Sequence, residues 1–176
     1  MILTGQIRKF LEPLQKPLEK IIFYSCVLNL DDITYLSECK HLKALTELGL
    51  EYNNLEGMGD ILCKLVKKTP NLHVFNLKET KLRPNEKLFL MYSLLNCSQL
   101  DTLVLYENED YLSLEAYEAI IEAACLMDSL REFYIFPFDF KPFELFHKKI
   151  VDEVVEEILT INERENLQIF YWHFVV

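Results

Sequence analysis

LTELGLEYNNL, residues Leu45 to Leu55, follows L-x-x-L-x-L-x-x-N-x-L without a mismatch, which is the strand segment of a leucine-rich repeat. Leu48 and Leu50 alternate as one face of a strand does, and Asn53 closes the strand where a side-chain amide can bond the backbone of a turn. The pattern recurs. Its anchoring residues are Leu18, Leu45, Leu72, Leu100, Leu130 and Leu167, at successive spacings of 27, 27, 28, 30 and 37.

Leu18, Ile21, Phe23, Cys26 and Leu28 fill the five template positions of the first copy, and Leu72, Phe75, Leu77, Thr80 and Leu82 fill those of the third. The fourth keeps Leu100, Leu103, Leu105 and Asn108 but has Asp110 where an apolar residue belongs. The fifth keeps Leu130, Phe133 and Ile135, and the sixth Leu167, Phe170 and Trp172. Degeneration toward one end is expected of a terminal repeat, which has no further neighbour to match. The expected fold is an α/β leucine-rich repeat horseshoe, a solenoid with parallel strands on the concave face and helices on the convex face. Residues 18–176 form the repeat domain and residues 1–17 a leader, or the remnant of a preceding repeat. Ile2 to Phe10 can make a helical turn or two, which Pro13 and Pro17 end. A leader this small is a poor cap, so the chain reads as the C-terminal part of a longer array or a short isoform of one.

Within each repeat a helix follows the strand. Asp31 and Asp32 are placed to cap the first, Gly59 and Asp60 the second, Asn85 the third and Ser113 the fourth. The third helix, with Leu88, Leu90, Met91, Leu94 and Leu95, reads as broadly buried. A last helix over about 143–161 carries Ile150, Val151, Val154, Val155, Ile158 and Leu159 on one side, and Asp152, Glu153, Glu156 and Glu157 on a solvated face. The chain ends IFYWHFVV, an apolar strand edge that needs cover or a partner.

With 51% apolar residues in 176, one domain can bury a sizeable core. A formal net charge of −10 argues against nucleic acid and anionic membranes as partners. Five cysteines without a C-x-x-C pair point to free thiols in a reducing compartment. No apolar run approaches a membrane span or a signal-peptide core, so the expected location is the cytoplasm or nucleus.

The four histidines, His41, His73, His147 and His173, lie in different repeats without ligand spacing, and none joins a Ser, Cys or carboxylate in a catalytic motif. Neither enzyme chemistry nor a metal or cofactor is expected. Function falls instead to the residues between the template leucines, which line the concave sheet. The candidate protein-binding residues are Tyr24, Glu47, Glu51, Tyr106, Tyr134, Phe136 and Tyr171; Tyr106, Tyr134, Phe136 and Tyr171 are expected to gather as an aromatic cluster. Six strands about 4.8 Å apart offer a face of only a few hundred Å², so a tight partner also needs the loops.

The run PLQKPLEKIIFYSCVLNLDDITYLSECKHLKALTELGLEYNNL resembles the C-terminal leucine-rich half of the PRAME family. The resemblance rests on Pro13 to Glu19, the Cys26-x-Leu28 strand end, and Leu36-Ser37-x-Cys39 before Leu42 and Leu45. Cys97-Ser98-Gln99-Leu100, followed by Tyr106 and Asn108, continues it. It implies a non-enzymatic horseshoe acting as substrate receptor of cullin-RING ubiquitin ligases of the cullin-2 class, with roles in transcriptional repression, proliferation, differentiation and apoptosis. The partners implied are ligase subunits and a substrate protein. The family's ligase-docking segment precedes the region resembled, so no docking residue is carried over. Two alternatives stand beside this reading: a stoichiometric inhibitor of a basic protein, as in repeats of the ribonuclease-inhibitor type, and a truncated isoform without ligase assembly.

Overall fold

The computed structural model describes residues 4–107, 113–135, 152–153, 155–160 and 166–170. Six short strands, β1 (Lys20–Ile22), β2 (Glu47–Gly49), β3 (Val74–Asn76), β4 (Thr102–Leu105), β5 (Glu132–Ile135) and β6 (Gln168–Phe170), form one sheet in sequential order. Every adjacent pair is parallel. Parallel neighbours need a crossover, and helices supply it: α2 (Leu30–Glu38), α3 (Gly59–Val66), α4 (Pro84–Leu94) and α5 (Leu114–Cys125), preceded by a short α1 (Ile7–Leu11). Consecutive helices pack side by side. The expectation of an α/β chain with a parallel sheet is met.

The template leucines explain the layering. Leu45, Leu72, Leu100 and Leu130 stack in one row, and Leu48, Phe75, Leu103 and Phe133 in the next. Leu50, Leu77, Leu105 and Ile135 form a third, and all twelve are buried. Each contributes about 1.5–3 kcal/mol by leaving water, so the periodicity is itself the core. The α1 residues Ile7 and Leu11 join that core. The last strand departs from the count. Ile169, not Phe170, stands level with Phe133 and packs against the core. A one-residue slip exchanges the two faces of a strand, and the long interval before β6 does not keep the period. Asp152, Glu153 and residues 155–160 are helical, with Val155 and Ile158 buried as expected; the rest of that expected helix, Asn108, Asp110 and the IFYWHFVV residues beyond Phe170 lie outside the described residues.

Helix starts differ from the local reading. Ser113 does cap α5, accepting from the Ala116 N–H at 3.3 Å. The α2 cap is Asn29, whose Oδ1 accepts from the Asp32 N–H while Asp32 Oδ2 accepts from the Asn29 N–H. The α4 cap is not Asn85; Pro84 occupies its first turn, and Glu86 Oε2 accepts from the Arg83 N–H. No side chain of its own caps α3. Its first turn is closed from the next repeat, by Glu86 accepting from the N–H groups of Gly57 (3.2 Å) and Gly59 (3.0 Å). Asp32 reaches back in the same way to the Gly5 N–H at 2.9 Å. Gly5, Asp32, Gly59 and Glu86 follow one another at 27-residue steps, an alternation of donor and acid.

Burial pushes the Glu86 carboxyl up, but the Arg83, Gly59 and Gly57 N–H groups outweigh it and hold the pKa below the usual value. A Cβ at Gly59 would lie 2.8 Å from Glu86 Cβ. Gly59→Ala is therefore expected to destabilise by about 1–3 kcal/mol, although an unhindered helical Gly→Ala change stabilises by about 1 kcal/mol. Urea unfolding gives the sign, which is the diagnostic result.

Candidate functional site

The sheet face opposite the helices carries the residues between the buried rows. In the first row, Lys20 and Glu47 are paired at 2.7 Å, both partly in solvent, a contact worth little in stability that nonetheless engages the acid. In the second row, Ile22 is exposed beside Gly49, and Asn76 and Val104 continue the row to Tyr134. Glu51 folds back over this row. Its Oε1 accepts from Asn76 Nδ2 at 2.9 Å, and its Oε2 lies where a Cβ on Gly49 would be 2.5 Å away. Gly49 thus makes the space that draws Glu51 in from solvent.

Beyond the strands the backbone ladder continues: the Ser25, Tyr52 and Glu79 N–H groups donate to the carbonyls of Glu51, Lys78 and Tyr106. This aligns Tyr24, Glu51, Lys78 and Tyr106 as a third row, and gives Ser25, Tyr52 and Glu79 left-handed φ values of 51°, 58° and 56°. The turned residue Tyr52 brings its ring within 4.9 Å of Tyr24, at an interplanar angle of 53°. Lys78 Nζ lies 5.5 Å from the centroid of the Tyr52 ring and 5.2 Å from that of Tyr106, a cation held between two aromatic faces. Its pKa is raised, first by the hydrogen bond to Tyr52 and against the pull of burial. Tyr24 is 60% and Tyr52 39% exposed, whereas Tyr106 is 8% exposed.

Of the seven candidates, then, Tyr24 is presented to solvent, Glu47 and Glu51 are bonded within the sheet, and Tyr106 is covered beside Lys78. Tyr134 donates its hydroxyl to Glu132 Oε2 at 3.2 Å. Phe136 and Tyr171, and with them two members of the expected aromatic cluster, lie outside the described residues. The ring contact that is described gathers instead at the first two repeats. Tyr52 was not among the candidates because it occupies the turn, one position past the alternating residues of the strand. Its one sequence signal is the 27-residue step from Ser25 and to Glu79, which marks a shared turn position and not an aromatic one.

Below the face lie buried polar groups. Asn53 is 1% exposed; its Oδ1 accepts from the Cys26 and Leu28 N–H groups, and its Nδ2 donates to the carbonyls of Phe23, Leu50 and Glu51. Cys26, at the same template position one repeat earlier, is a buried thiol raised by desolvation. Two repeats further on, Glu107 supplies the oxygen: its Oε1 accepts from the Thr80 and Lys81 N–H groups at 3.1 and 2.8 Å, and from the Thr80 hydroxyl. Lys87 Nζ stands 3.9 Å from the same oxygen, the two side chains 2% and 4% exposed. Among the described residues no cluster of His, Cys, Asp or Glu could hold a metal ion, and no helix is long and apolar enough to cross a membrane.

Comparison with known sequences decides the family. The profile of the PRAME C-terminal domain matches residues 1–162. The chain belongs to the PRAME family. Relatives of this PRAME-family chain include leucine-rich repeat-containing protein 14 of Xenopus laevis, 34% identical over 108 residues, which cover 60% of the chain and 21% of that protein. The Mus musculus protein of the same name is 28% identical over 132 residues, covering 74% of the chain and 26% of the relative. The chain thus spans about a fifth to a quarter of the length of these relatives. Among solved structures, the tropomodulin C-terminal domain of Caenorhabditis elegans superposes with a TM-score of 0.62 at 18% identity, over 89% of the chain and 93% of that domain. That likeness concerns the fold.

Proposed function

We propose that this PRAME-family chain is a non-enzymatic protein-binding module, a curved leucine-rich repeat array that works as the substrate-recognition part of a PRAME-like cullin-RING ubiquitin ligase receptor. The observation that carries the reading is the exposed Tyr24–Tyr52 ring pair, flanked by Lys78, on a sheet face whose neighbouring acids are already bonded. Aromatic side chains anchored on a rigid sheet are favoured as binding hot spots. Tyr134 extends the proposed surface toward the fifth repeat. Through its substrate such a receptor would act on transcription, proliferation, differentiation or apoptosis, in the cytoplasm or nucleus, where five free thiols are at home.

The inhibitor reading is weaker, because Glu47 and Glu51 have partners within the sheet. Salt separates the two: acidic-on-basic binding weakens steeply with ionic strength, while aromatic docking does not.

Affinity purification with mass spectrometry from cells, running the chain beside Tyr24→Ala/Tyr52→Ala, tests the proposal. Elongin and cullin subunits are expected with both forms, and substrate proteins with the unmutated form alone, each lost ring costing about thirtyfold in affinity. An unchanged partner list would remove the aromatic surface from the account, and absence of every ligase component would remove the receptor role.

A further inference from the structure

The helical layer carries a second surface, on the opposite side of the molecule from the proposed binding face. Beyond its first turn, helix α4 carries apolar residues on both its inner and its outer side. Leu90, Met91 and Leu94 face the core, while Phe89, Tyr92 and Leu95 are 58%, 49% and 39% exposed, so the outward side of a helix expected to be broadly buried is an apolar stripe in water. Helices of water-soluble domains ordinarily turn a polar side outward, and a contiguous exposed stripe marks an interaction site.

Its flanks suggest the occupant. On one side α3 and the residue pair after it expose Lys64, Lys67 and Lys68; on the other α5 exposes Glu115 and Glu122, with Glu118 half-exposed. None of the six makes an ion pair among the described residues. Basic, apolar and acidic strips therefore lie side by side across α3, α4 and α5.

We propose that this layer is a self-association surface and that its occupant is a second copy of the same chain. A two-fold axis parallel to the helices sets α4 on α4 and lays α3 of each copy over α5 of the other. Lys64 then faces the partner's Glu118, and Lys67 the partner's Glu122. Only the first turns, Asp60 and Glu115, meet with like charge. The other in-plane axis, perpendicular to the helices, would set lysines on lysines and glutamates on glutamates. Charge selects between the two, and the patch is complementary to itself, as an isologous interface requires.

Eleven residues of α4 at 1.5 Å each are about 16 Å long, and three helices about 9 Å apart are about 27 Å wide. The layer offers roughly 430 Å² per copy, close in total to the ~1,000 Å² that a specific contact needs. The dimer is therefore weak and reversible, with a dissociation constant on the order of micromolar.

Sedimentation velocity on the full chain between about 1 and 100 μM tests this. The unmutated chain should pass from monomer to dimer, and Phe89→Ser/Tyr92→Ser should remain monomeric. Lys64→Glu/Lys67→Glu should weaken the dimer at least about tenfold, and adding Glu118→Lys/Glu122→Lys to that variant should restore it. The charge variants decide the matter if the apolar pair disturbs folding, which circular dichroism reports. A chain monomeric throughout the range would overturn the proposal, leaving the stripe to an amphipathic helix of another protein. So would a dimer indifferent to the Phe89 and Tyr92 changes, or a charge reversal that the reciprocal change does not rescue.

Discussion

Glu107→Gln is expected to lower the unfolding free energy by about 3–5 kcal/mol, while Lys87→Met combined with Glu107→Gln recovers most of that loss. The single change leaves the Lys87 ammonium buried without its counter-charge. The double change keeps an oxygen for the Thr80 and Lys81 N–H groups and removes both charges. Burial holds the Lys87 pKa down to about 8, against the upward influence of Glu107. Burial likewise raises the Glu107 carboxyl, against Lys87 and the N–H donors of Lys81 and Thr80. The sign of the pH dependence follows. Between about 8 and the ordinary 10.5 the unfolded chain carries the Lys87 proton and the folded chain does not, so raising the pH favours the fold across that window. Below the window the cost of burying the cation is fully present. Urea unfolding of the wild type and the double variant at neutral and alkaline pH should show this alkaline gain in the wild type alone. A single variant as stable as the wild type would mean that the pair does not carry buried charge.

Asn53→Ala is the second large effect, a loss of at least about 3 kcal/mol. One amide serves two N–H groups and three carbonyls of two successive repeats; alanine strands four of the five, the Glu51 carbonyl keeping the Ser25 N–H. Asn53→Asp separates geometry from chemistry. It keeps the acceptor but turns a carboxylate oxygen toward the carbonyls of Phe23, Leu50 and Glu51, which raises the pKa of the introduced group in the fold. A raised acid binds its proton more tightly folded than unfolded, so this variant should regain stability as the pH falls through the folded pKa toward the unfolded one. Unfolding at pH 7 and in mild acid checks both variants; equal losses for alanine and aspartate without pH dependence would show that the amide's size, not its bonds, matters.

These two sites were unequally legible. Asn53 stood in the template, and so did every buried leucine of the strand segments from Leu45 to Leu130, because burial in a parallel repeat is strictly periodic and periodicity survives in one dimension. Lys87 did not. Nothing in PNEKLFLMYSL distinguishes an inward lysine from a solvated one until Glu107, twenty residues on, is placed beside it. Glu107 was not in the template: one residue before Asn108 and with one more methylene than an asparagine, its carboxylate reaches the turn of the third repeat as the Asn53 amide reaches that of the first. The helix caps failed for a related reason. Ser113 bonds within its own turn and could be read locally, but the groups closing α3 come from Glu86, and no local window contains them. On the sheet face, alternation pointed to Tyr24, which is exposed, but it could not show that Gly49 lets Glu51 fold inward or that the left-handed turn swings Tyr52 onto the Tyr24 ring.

The 27-residue alternation of Gly5, Asp32, Gly59 and Glu86 bears on how such a chain can grow or shrink. Gene duplication and deletion work on whole repeats, and an array of equivalent units would tolerate either one unit at a time. Here the units are not equivalent, since each acid needs, one repeat upstream, a backbone approachable enough to be capped. Removing the 27 residues that carry Gly59 would set Glu86 against Asp32, carboxylate on carboxylate, with a Cβ in the space that glycine leaves open. Removing two repeats together would restore the phase. The heritable module of this part of the chain is therefore a pair of repeats, twice the length that its leucines announce.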